Sequence, residues 1–151
     1  MKSVIFIRIA AVLTFIHAVL HTVGGVFGKA DPGPAAVAVA AMKANQFLLM
    51  GNLRTYWDFY FGMGLGVTIS LTTESIVLWF LASLVHTHSE KLRPILLTFA
   101  YGYLTFAVNS YFNFFLAPVI VETLIALCLI AAAVTMQKST IASPVPLTRA
   151  S

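Results

Sequence analysis

The chain has 151 residues, of which 60% are apolar and only 9% charged, and it carries a net charge of +4. A soluble domain keeps about a quarter of its residues charged, so this composition excludes a water-covered globule and points to an all-α integral membrane protein. The Lys and Arg residues are scattered among connections and ends with no basic stripe, which excludes a nucleic-acid surface, and the single Cys128 excludes an internal disulfide or a thiolate metal site.

The first element is predicted as a membrane helix over about 4–27, an apolar run interrupted by Arg8, Thr14, His17 and His21. A secretory signal with cleavage near Gly28-Lys29-Ala30 is the competing reading. The run is long for a signal core, and two histidines have no purpose in a discarded peptide. The only long connection follows. Asp31-Pro32-Gly33-Pro34 is a turn cluster, with Pro34 suited to a helix start. Residues 34–50 are good helix formers but too few to span, so they are expected as a short helix at the membrane surface, ended by Gly51-Asn52.

The second span is predicted over about 56–84. Its Trp57 and Trp79 stand about 33 Å apart along a helix, near the thickness of a bilayer core. A short charged connection at 85–93 leads to a third span at about 94–115 and a tight turn to a fourth at about 118–136. These make one four-helix bundle over residues 1–136, with 137–151 expected as a disordered tail. Lys2, Arg8, Lys91, Arg93, Lys138 and Arg149 fall on the side of the termini, against Lys29, Lys43 and Arg54 on the other. The positive-inside rule then puts both termini in the cytoplasm of a multi-pass protein of the cell (inner) membrane.

Depth can now be assigned to the polar residues. His21 lies about 8 Å below the outer end of the first helix, with His17 about 6 Å deeper. Asp58 opens the second helix, Asn109 and Asn113 share a face near the outer end of the third, and Glu122 is one turn into the fourth. Lipid offers such groups no partners, so they are expected to converge inside the outer half of the bundle, with Tyr60 or Trp57 available for stacking. His17-x3-His21 also has the spacing of two metal or haem ligands on one helix face. Two ion pairs are expected, Arg54 with Asp58 at i, i+4 and Arg8 with Glu74 near the inner edge. Gly62-x3-Gly66 reads as a close helix contact, against Gly24-Gly25 of the first helix.

The His-Thr-x-Gly at 21–24, followed after a loop by Arg-x-x-Trp-Asp-Phe-Tyr-x-Gly-x-Gly at 54–64, resembles a group of small bacterial four-helix membrane proteins. More loosely, the layout is similar to the DoxX-like membrane proteins, and that resemblance implies a link to quinone chemistry. It brings no catalytic residues with it. Three readings follow. The first is a pocket in the outer half, roofed by 35–50, that binds a small amphipathic ligand such as a quinone or lipid. The second is an accessory subunit in which the same groups lock the bundle or meet a membrane partner or a second copy. The third is a haem- or metal-binding redox protein using His17 and His21.

Overall fold

The computed structural model describes residues 2–136. Helix α1 covers Lys2–Leu20 and continues as a π-helical segment, His21–Val26. After the turn come α2 (Pro34–Ala44), a hairpin of β1 (Gln46–Leu49) and β2 (Asn52–Thr55), then α3 (Tyr56–Ser83), α4 (Val85–Asn113) and α5 (Leu116–Thr135). Four of the helical segments, Lys2–Val26, Tyr56–Ser83, Val85–Asn113 and Leu116–Thr135, are long and apolar enough to cross a membrane. The predicted tail at 137–151 lies outside the described residues.

Local chemistry explains the boundaries. The wider turn at His21–Val26 carries two glycines, poor α-helix formers, and closes with the Phe27 amide donating to Thr22 five residues back. Pro34 opens α2, and Gly33 before it holds φ +108°, a conformation suited to glycine. The helix expected over 34–50 ends early, at Ala44. Met50 and Gly51 both have positive φ (47° and 81°), and that is the two-residue turn whose twist joins antiparallel strands. Gly51 is therefore the second half of a hairpin turn rather than a helix stop.

Thr55 caps α3. Its hydroxyl accepts from the Asp58 amide at 3.0 Å, while the Asp58 carboxylate accepts from the Thr55 amide at 2.9 Å. Helix α4 begins at Val85, well before Pro94, and breaks at His88 (φ −135°, ψ 31°), so the expected charged loop is mostly helical. Pro118 sits in the first turn of α5, where its missing N–H costs no helical bond.

The helices stand in the order α3, α1, α5, α4. Small side chains let the central helices pack closely among their neighbours: Ala10, Ala11 and Ala18 on α1 and Ala126, Ala132 and Ala133 on α5 are all buried. One end of the bundle gathers both ends of the described chain. The Thr135 hydroxyl lies 3.3 Å from that of Ser3, and Arg93 Nε donates to the Ala133 carbonyl at 2.9 Å, satisfying one of the open carbonyls that end α5. A register of hydrogen bonds ties α1 to α3, with Ser75 donating to the Ala11 carbonyl at 2.9 Å and the Thr22 and Thr68 hydroxyls 3.0 Å apart. Helices α3 and α4 meet only sparsely, around one bond from the Tyr103 hydroxyl to Glu74. The bundle is thus open along one side. A third or less of each long helix's most apolar stretch is buried, and large apolar side chains such as Phe15, Ile69, Phe80 and Phe106 face outward.

Candidate functional site

The outer polar pocket expected from the sequence does not form as a unit. Asp58 is exposed and committed to the α3 cap, while Arg54 donates to its neighbour Leu53's carbonyl at 3.0 Å, so the two make no ion pair. Capping wins because a carboxylate three residues past the cap residue reaches a free backbone N–H that an i, i+4 arginine cannot offer. Tyr60 is exposed beside Trp57, their rings 5.7 Å apart. Asn113 donates to the side chain and carbonyl of Asn109 at 3.1 and 3.0 Å, and both face outward. Three of the predicted residues do lie inward: Glu122 is buried, and His17 and His21 are half-buried. His21 Nε2 meets the Gly64 carbonyl at 3.1 Å and so fastens the π-helical segment to α3.

Two further expectations are corrected. Arg8 lies over the Trp79 ring, 5.0 Å from its centre, and Glu74 is bonded to Tyr103 instead. The Ser75–Ala11 bond sets this register, because it leaves Arg8 level with Trp79, about one helical turn from Glu74. In the glycine seam, Gly64 is the contact residue, where an added Cβ would come 3.1 Å from Val26. Gly62, Gly66 and Gly24 have open space above them, and Gly25 meets only the ring of His21.

What the fold does assemble lies where α1, α3 and α4 approach one another. Tyr103 of α4 is among the most deeply buried large side chains. Its hydroxyl donates to Glu74 of α3 at 2.7 Å and lies 3.1 Å from the Thr14 hydroxyl of α1. Thr14 stands midway along Lys2–Val26, and its hydroxyl also reaches the Ala10 carbonyl at 2.9 Å. A proton count is informative here. Tyr103 has one hydroxyl proton and gives it to Glu74, so its contact with Thr14 needs the threonine proton, which the Ala10 carbonyl also claims. The cluster has more acceptors than donors.

Two of its members, Glu74 and Tyr103, border a cleft of about 130 Å³ between α3 and α4, lined also by Thr98, Phe99, Gly102 and Phe106. A Cβ built on Gly102 would meet nothing within 4 Å, so the glycine leaves part of the cleft empty. A second cleft, about 210 Å³ beside Ala11, Val12, Phe15, Ser75 and Trp79, is larger, but its serine proton is already spent on Ala11. Among the described residues no three His, Cys, Asp or Glu side chains come together to hold a metal ion, and His21 spends Nε2 on Gly64.

The sequence reading missed Tyr103, Thr14 and Gly102. The available signal was their depth: a tyrosine hydroxyl at the middle of an apolar helix must find a partner inside the bundle. No protein-family model, curated protein or solved structure matches the chain.

Proposed function

We propose that this chain is an integral membrane protein that binds a small amphipathic molecule, through a hydroxyl-bearing head, in the cleft between α3 and α4. The observation that carries the reading is the placement of a donor-poor cluster, Glu74–Tyr103–Thr14, on the one side of the bundle that its own helices leave open. Four long apolar helices with outward-facing apolar side chains suit a bilayer, and a sideways opening there admits molecules from the lipid. Ligand sites usually enclose about 300–1,000 Å³. This cleft therefore takes a head group while the tail stays among lipid chains. A quinol or a lipid alcohol supplies the O–H that the cluster lacks, which narrows the quinone-or-lipid expectation to its hydroxyl-bearing members. The end that gathers Ser3, Thr135 and Arg93 also holds Lys2, Arg8 and Lys91, against Lys29, Lys43 and Arg54 elsewhere, which supports a cytoplasmic position for that end in a cell (inner) membrane.

The test is the thermal stability of the purified protein with decylubiquinol and with its oxidised form, decylubiquinone. A ligand that binds only the folded state adds about 2.7 kcal/mol at a hundred times its Kd. The quinol is expected to raise the unfolding temperature saturably and the quinone to do so less, because it brings no donor. Gly102→Leu places its Cβ in open space, extends its side chain into the cleft and removes a helix-weakening glycine, so this variant should fold and lose the effect. Equal shifts in both proteins would mean nonspecific partition and end the proposal.

A second reading, as a subunit of a membrane complex, is favoured by the open space above Gly62 and Gly66, which offers a close-packing face to a partner helix or a second copy.

A further inference from the structure

Two buried polar atoms belong to neither the cleft nor the α1–α3 seam. Nδ1 of His17 and Oε2 of Glu122 have no hydrogen-bond partner and no contact with solvent. Glu122 is 6% exposed, and Ser110 of α4 interacts with its carboxyl group. The two residues come from α1 and α5, neighbouring helices that run antiparallel with Ser3 beside Thr135. From that shared end, His17 is about 21 Å along α1 and Glu122 about 20 Å along α5. They stand at the same depth. Ser3, Ala10 and His17 recur every seven residues, so His17 shares the helix face that meets α5. On α5, Glu122 is seven residues before the fully buried Leu129 and so faces the core.

A buried acceptor or donor left unpaired loses its water without replacement, and folded proteins rarely tolerate it. One water molecule placed between them would answer both groups. It donates to the carboxyl oxygen and either donates to Nδ1 or accepts from it, according to the imidazole tautomer. We propose that His17 and Glu122 bind a single internal water between α1 and α5, making a hydrogen-bond relay site apart from the α3–α4 cleft. The water enters by a local opening of that helix pair, since neither atom is reached from outside in the closed form. Through it a proton bound to one group passes to the other, the water giving up one proton as it takes another and leaving unchanged. The titratable groups around the site are His21 on α1 and Tyr103 on α4, with Glu74 of α3 beyond Tyr103. The relay does not depend on the cleft having a ligand.

Solid-state NMR of the full chain in lipid, labelled at histidine and glutamate, tests this by transferring magnetisation from water to protein. The His17 ring nitrogen and the Glu122 carboxyl carbon are expected to receive it, and Glu122→Leu should remove the transfer to His17 at least fivefold. If the wild-type signals receive none, because the site is dry or the two groups bond directly, the proposal is overturned. Undiminished transfer to His17 in a folded Glu122→Leu protein overturns it too. Should that variant fail to fold, the wild-type spectrum alone decides.

Discussion

The Tyr103 hydroxyl has one proton and two oxygen neighbours, and most of the site's character follows from that arithmetic. Tyr103→Phe removes both contacts and strands the Glu74 carboxyl. Hydrogen bonds between membrane helices average about 0.6 kcal/mol with a maximum near 1.7, so this variant is expected near the upper figure. Thr14→Val, which leaves the Tyr103–Glu74 bond intact, should cost about the average. Reversible unfolding in bicelles measures both, and a larger loss for Thr14→Val would contradict the assigned proton order. Legibility at this scale was uneven. Burial of Glu122 and the inward turn of His17 and His21 could be read from depth alone. Asp58 could not be placed so, because Thr55-x-x-Asp58 offers a backbone cap while Arg54 competes on paper at i, i+4. Arg8 and Glu74 looked equally deep, yet a single Ser75–Ala11 bond offsets them by a turn.

Among the elements, the four long helices were plain in the hydropathy and the connection before α3 was not. Ala and Leu propensities carried the helical reading through 45–50, where two positive-φ residues make a hairpin turn instead. The strands then pack aromatically on the start of α3, with the Phe47 ring 4.8 Å from that of Tyr56, a tertiary contact no local pattern announces. Met50 is a non-glycine residue in the left-handed region and 96% exposed, so it holds a strained angle without packing in return. Replacing it with glycine should relieve up to about 1 kcal/mol. Slower amide exchange at Phe47 and Arg54, which face each other in a hydrogen-bonded pair, is the expected reading, and faster exchange would mean that the Met50 side chain itself holds the turn.

At the scale of the whole molecule, the chain folds its two outer helices onto a central α1–α5 pair and leaves one flank open. Helix number is encoded by composition, but which pairs touch depends on small residues and hydroxyls whose partners lie far apart in sequence, as Thr14 and Tyr103 do. The same order brings the start of α1 to the end of α5. Ser3→Cys with Thr135→Cys, in a Cys128→Ala background, should therefore form an internal disulfide under mild oxidation, seen as a gel shift reversed by reductant. Absence of that bond would place these ends apart.

The central claim is that the open flank receives an amphipathic molecule. Its most direct measurement is photolabelling in liposomes with a diazirine-bearing long-chain alcohol, with the attachment sites mapped by mass spectrometry. The account predicts labels concentrated at Phe99, Gly102, Tyr103 and Phe106 and abolished by Gly102→Leu. Labels spread evenly over outward-facing residues such as Ile69 and Phe80, and unchanged in the variant, would contradict it.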